Sequence, residues 1–171
     1  MANQATEFYP AGGPAPAYSL TAVKSGRVVS NQENKGQVVV LIFHGRETVQ
    51  AAVDVNTAVR PEYGDPKAVL LASVLDLSIV PRLFQGAVKP MLEQAYEQGA
   101  QQIPQGYNPA DFVFLLPDWK GEVTKAFKVR DTSKQGAVVV MDATGKVVGS
   151  YQGPELGAST LAMVKQAVAS S

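Results

Sequence analysis

The sequence predicts an α/β protein built on a mixed sheet, and three stretches carry that prediction. Gly36-Gln37-Val38-Val39-Val40-Leu41-Ile42-Phe43 is a β-branched and aliphatic run, entered by Lys-Gly and left through Gly45. It is too short for a membrane span and reads as a central strand buried on both faces. A helix-period segment and a second aliphatic run, Ala68 to Leu75, come next, so strand, helix and strand imply a parallel pair with a right-handed crossover. Ala137 to Asp142 and Lys146 to Tyr151 then flank the turn Ala143-Thr144-Gly145, a hairpin with glycine where positive φ is required.

The chain has 171 residues, 46% of them hydrophobic, which suits one domain with a sizeable core. Fifteen Lys and Arg balance fifteen Asp and Glu, so there is no electrostatic footprint for nucleic acid or an anionic membrane. There is no cysteine, which excludes disulfides, thiolate metal sites, Fe–S clusters and thiol-based peroxidase or oxidoreductase chemistry. The first ten residues lack a basic segment followed by an apolar core, and no apolar run reaches about 18 residues. The expectation is a cytoplasmic protein with no membrane insertion.

Residues 1–17, with Pro10, Gly12, Gly13, Pro14 and Pro16, read as an extended arm, and residues 18–171 as the domain proper. Tyr18 to Val23 and Arg27 to Ser30 make a small hairpin about Lys24-Ser25-Gly26. Past the central strand, Val49, Ala52, Val53 and Val59 recur at helical intervals until Pro61 and Gly64-Asp65-Pro66 stop the helix. Thr48 is its cap or lies in its first turn. Ile79 to Gly99 carries the clearest helical signal, a double apolar stripe of Leu83, Phe84, Ala87, Val88, Met91, Leu92, Ala95 and Tyr96, with Pro90 expected to kink or split it. Asp111 to Leu116 reads as a third strand closed by Pro117-Asp118-Trp119, Glu122 to Val129 as a short helix or helical turn, and Leu156 to Val168 as a closing helix with Leu161, Val164 and Val168 on one face.

With these elements in place the chain resembles the thioredoxin-like fold, and within it the redoxin branch of AhpC/TSA peroxiredoxins and TlpA-like proteins. Pro16-Ala-Tyr18-Ser-Leu20 is similar to that family's Pro-x-Phe-x-Leu opening, and Gly26 to its hairpin glycine. Lys35-Gly36-Gln-Val-Val-Val-Leu-Ile-Phe43 resembles its Lys-Gly-Lys-x-Val-Val-Leu-x-Phe strand. Val138-Val-Val-Met-Asp142-Ala-Thr-Gly145-Lys-Val resembles its late Ile-Asp-x-x-Gly-Lys-Ile hairpin. The resemblance implies a mixed sheet flanked by helices, with an N-terminal β-hairpin and an extra amphipathic helix. It also implies that the attacking cysteine falls at or beside Thr48, a resolving cysteine at Ala51, and the active-site cis-proline at Gly136. None of the three positions keeps its chemistry, because a threonine hydroxyl without a base is a poor nucleophile. The expected protein is a redox-inactive member with no catalytic residues.

His44, the only histidine, follows the central strand and is read first as a structural residue, since one imidazole alone makes no metal site and no cofactor is implied. Arg46, Glu47 and Thr48 at a helix N-terminus, with Arg130 approaching from the loop before Gly136, form the candidate ligand pocket. A plain cap at Thr48 is the simpler alternative. Leu83, Phe84, Met91, Tyr96 and the sole tryptophan, Trp119, are candidate interface residues. The expected function is a protein-binding or assembly module, with a protein partner or a homo-oligomer. The alternative is a cysteine-independent enzyme or ligand-binding protein using the pocket of His44, Arg46, Thr48 and Arg130.

Overall fold

The computed structural model describes residues 7–171; the first six residues of the proposed arm lie outside the described residues. A two-stranded hairpin, β1 (Ser19–Thr21) and β2 (Val28–Ser30), precedes the central strand β3 (Val38–Phe43). Helix α1 (Gln50–Val59) leads to β4 (Val69–Asp76), and a 3₁₀ turn (Arg82–Phe84) runs into α2 (Gln85–Gln101). Strand β5 (Leu115–Asp118), α3 (Glu122–Ala126), the hairpin β6 (Ala137–Met141) and β7 (Val147–Gln152), and α4 (Leu156–Ala169) complete the chain. The five-stranded sheet has the order β5-β4-β3-β6-β7, with β3 parallel to β4, β4 parallel to β5, and both β3–β6 and β6–β7 antiparallel.

Strand β3 is buried on both faces because its side chains alternate between two cores. Val38, Val40 and Ile42 meet Ala51, Val55 and Val59 of α1 and Leu156, Val164 and Ala167 of α4. Val39, Leu41 and Phe43 face Tyr18, Val29, Phe114, Val123 and Phe127. Phe127 is the hub of that second face, its ring centroid 5.5 to 5.9 Å from those of Tyr9, Tyr18 and Phe43. Register matters as much as burial. Phe43, the last residue of β3, lies opposite Ala137, the first of β6, so the end of one strand and the start of the other share one sheet edge.

Four expectations are corrected. The third strand begins at Leu115, four residues late, because Asn108 caps a 3₁₀ turn at Pro109–Asp111 by accepting the Ala110 N–H at 3.1 Å. It runs on through Pro117 because β5 is a sheet edge: Leu115 turns its carbonyl outward to the Val23 N–H at 2.9 Å, and the missing donor two residues on points the same way. Pro90 does not divide α2, which continues for 17 residues, since the carbonyl it leaves unbonded belongs to exposed Gly86. The inward face of α4 is Leu156, Gly157, Thr160, Val164 and Ala167, with Val168 exposed. There the backbone of Gly157 approaches α1 so closely that an added Cβ would stand 2.7 Å from the Asp54 carbonyl oxygen.

Residues 8–15 run along the outer edge of the β6–β7 hairpin. Ser150 Oγ accepts the N–H groups of Phe8 and Tyr9 at 3.0 and 2.8 Å, and Gly12 N–H donates to the Val147 carbonyl at 2.8 Å. Phe8 and Tyr9 pack on the Phe127 face, so a prolyl and glycyl segment that forms no regular strand still covers the edge.

Candidate functional site

The edge where β3 ends, β6 begins and α1 starts brings Thr48, Ala51 and Gly136 together. Thr48 is buried, and its hydroxyl is committed twice. It accepts the Gly45 N–H at 2.9 Å and donates to the Thr132 carbonyl at 2.6 Å, tying the turn before α1 to the loop before β6. It does not cap the helix: no side chain caps α1, whose N-cap position is the exposed Val49. A hydroxyl whose proton is given to a backbone carbonyl is not activated for attack.

Ala51 and Gly136 meet across this edge. A Cβ built on Gly136 would overlap the Ala51 Cβ and stand 3.4 Å from the Phe43 carbonyl oxygen and 3.5 Å from Leu156 Cδ2. Glycine is therefore a steric requirement at 136 rather than a turn residue. No cis peptide bond occurs among the described residues. The loop leading to Gly136 is held from its other side by Gln152, whose Nε2 donates to the carbonyls of Asp131 at 3.1 Å and Gln135 at 3.2 Å. Ser133, bonding the Asp131 carboxylate through its side chain and its backbone N–H, holds that group below the usual carboxylate range.

His44 is packed inside, 4% exposed. Its Nδ1 lies 3.1 Å from the Gly45 carbonyl, which makes Nδ1 the protonated nitrogen and leaves Nε2 an acceptor with no partner among the described residues. Burial lowers its pKa, opposed by the bond to Gly45, so the ring is neutral at pH 7. Arg46, Glu47 and Arg130 are exposed. Clefts of about 620, 640 and 200 Å³ open elsewhere on the described surface; none is lined by His44, Arg46, Thr48 or Arg130. No group of acidic residues and histidine suited to a metal ion occurs among the described residues.

The candidate interface residues divide. Tyr96 is buried with Leu92 on the inner side of α2, and Trp119 is half-buried just after β5. Leu83, Phe84 and Met91 are exposed at 86%, 56% and 55%, and Ile79 beside them at 88%. Helix α2 is held by Leu92 and Tyr96, by Gly99 against Val113, and by Glu97, whose carboxylate is 3.2 Å from Lys24 Nζ.

No family model matches the chain, and neither does any curated protein. Solved structures do. The exposed lipoprotein thioredoxin of Streptococcus pneumoniae superposes with a TM-score of 0.60 at 17% identity, over 88% of this chain and 99% of that one. The thioredoxin domain of a thiol-disulfide oxidoreductase from Bacteroides vulgatus gives 0.61 at 15% identity, over 93% and 98%. A thioredoxin-family thiol:disulfide interchange protein from Chlorobium tepidum gives 0.58 at 18%, over 93% and 98%. The fold is thioredoxin-like. This thioredoxin-like chain has no cysteine with which to perform thiol exchange. None of its described helices is long and apolar enough to cross a membrane.

Sequence inspection picked out Thr48, Ala51 and Gly136 and missed Thr132, Gly45 and Gln152. Thr132 takes part through its carbonyl, which every residue has, 84 positions from Thr48. No side-chain pattern could have marked it.

Proposed function

We propose that this protein is a redox-inactive thioredoxin-like module that works by binding, as a subunit or accessory of an assembly. The observation that carries it is the closure of the thiol-exchange edge. Ala51 and Gly136 are in direct contact there, and the Thr48 hydroxyl is spent on Gly45 and Thr132, so it is not a free nucleophile. The bare apolar stripe at Leu83, Phe84 and Met91 supports the binding half, because an apolar stripe of that size on a helix is commonly an interaction surface. Residues 1–17 as an arm and residues 18–171 as the domain belong to the same proposal, residues 8–15 serving as an edge cover.

The test is gentle purification of the full chain from its native host, followed by mass spectrometry of stoichiometric components, alongside Leu83→Glu. The expected result is a defined complex, with itself or another chain, that the substitution dissolves. Turnover of peroxide or of a disulfide at an ordinary enzyme's rate refutes the proposal, as does a lone monomer with nothing bound.

A further inference from the structure

The cleft of about 620 Å³ opens where β3 and β4 begin, at the end of the sheet opposite the meeting of Phe43 with Ala137. Its volume falls in the range of small-molecule sites. The floor is apolar: Leu70 and Phe114 belong to the buried core, and the exposed side chain of Val28 lies beside them.

The walls are polar, and most of their side chains are already engaged. Asn34 accepts the Ser30 N–H at 2.9 Å and donates from Nδ2 to Gln37 Oε1 at 2.8 Å, and Gln37 Nε2 donates to the Lys67 carbonyl at 2.8 Å. That chain of bonds ties the loop after β2 to the entry of β4. On the other side Arg27 Nη2 lies 2.6 Å from the Asp111 carboxylate, and Asn108 accepts the Ala110 N–H at 3.1 Å. Walls tied in this way lose little freedom when a ligand arrives.

Two lining side chains are left over, the Glu33 carboxylate and the Lys67 ammonium. Both are exposed, neither has a side-chain partner among the described residues, and they do not pair with each other. Their backbones are fixed all the same. Glu33 N–H donates to Ser30 Oγ at 3.1 Å and Lys67 N–H to Asp65 Oδ1 at 2.9 Å, so the two charges stand at set places on the rim.

Arg27 and Asp111 cancel, which leaves one negative and one positive group facing the cleft. A simple anion is repelled by Glu33 and a simple cation by Lys67. A molecule carrying both an ammonium and a carboxylate satisfies both groups and leaves its side chain for the floor. We propose that this cleft binds a small zwitterion with an apolar side chain, a free amino acid or a short peptide with both ends unblocked: ammonium on Glu33, carboxylate on Lys67, side chain over Leu70 and Phe114. The site goes beyond the binding-module reading and does not depend on it.

The test is isothermal titration of the full chain with L-leucine and with dileucine, beside N-acetyl-L-leucine, which lacks the ammonium, and L-leucinamide, which lacks the carboxylate. At least one zwitterion is expected to bind one to one, the tighter of the two showing whether an amino acid or a peptide is the ligand. Each blocked compound should bind about 5-fold more weakly, the worth of one exposed ion pair. Glu33→Gln should abolish the preference over N-acetyl-L-leucine, and Lys67→Gln the preference over L-leucinamide, with the thermal midpoint unchanged because both side chains are exposed. No binding of either zwitterion below about 10 mM, equal binding of the blocked compounds, or wild-type affinity in both variants overturns the proposal.

Discussion

Gly136→Ala is the sharpest probe of the closed edge. Glycine at 136 has no positive φ, so alanine suits the backbone, and by chain entropy alone the change would stabilise by about 0.4–1 kcal/mol. The structure reverses that sign. The new methyl overlaps the Ala51 Cβ, with the Phe43 carbonyl at 3.4 Å and Leu156 at 3.5 Å leaving no side to move to, in a region buried on every face. With carbon on carbon and no side to yield, the cost lies at the upper end of the about 1–3 kcal/mol of overpacking, so after the entropy gain a net loss of about 2 kcal/mol is expected. For a chain of this length that lowers the thermal midpoint by about 4–8 °C.

The assay is urea unfolding of four proteins: wild type, Gly136→Ala, Ala51→Gly and the double variant. Ala51→Gly alone loses a buried methyl and helix propensity, about 1–2 kcal/mol. It also opens the space the alanine at 136 needs, so Gly136→Ala should cost less than ~0.5 kcal/mol in that background. The expected coupling is about 1.5 kcal/mol or more. Additive effects, or a stabilising Gly136→Ala in the wild-type background, refute the contact and with it the account of why this edge is closed.

Two further outcomes follow from the same edge. His44 has a folded-state pKa below its unfolded value of about 6.5, so the unfolded chain takes up the proton first; the stability it contributes is complete above pH 6.5 and falls as pH drops through that value. Urea midpoints measured from pH 7.5 to pH 5 should therefore decline in the wild type and decline less in His44→Gln, and equal slopes refute the assignment. Thr48→Val removes an acceptor from Gly45 and a donor from Thr132 at constant shape, at an expected cost of about 1–3 kcal/mol. Hydrogen exchange at the Gly45 amide should accelerate in Thr48→Val and stay slow in Thr48→Ser; unchanged exchange in both shows that the hydroxyl is not the tie.

Much of the fold was legible because it depends on local pattern and burial. Val38 to Phe43, Val69 to Leu75 and Ala137 to Met141 are short, β-branched apolar runs, which is what strands covered on both sides look like. Gly145, at φ +85°, was readable as the hairpin glycine because few other residues take that conformation cheaply. Boundaries that depend on a neighbour were not readable. β5 starts where a side-chain cap releases it and tolerates Pro117 only because it is an edge, and sheet order is not written in the strand itself.

The sequence by itself determined the chemistry that is absent. With no cysteine there is no thiolate, whatever the fold, and it is the resemblance to redoxins that proposes Thr48, Ala51 and Gly136 as the positions of the missing groups. Tertiary structure alone decided how those three residues are packed and bonded. Contact between Ala51 and Gly136, the hydroxyl of Thr48 shared between Gly45 and Thr132, and the burial of His44 away from exposed Arg46 and Arg130 all join residues from different elements. Their meeting is fixed by the register of β3 on β6, a sum of many packing contacts and backbone bonds that no single motif encodes. The same holds for α2: its double stripe was visible in the sequence, but which stripe turned inward was settled only when Leu92 and Tyr96 found the domain and Phe84 and Met91 did not.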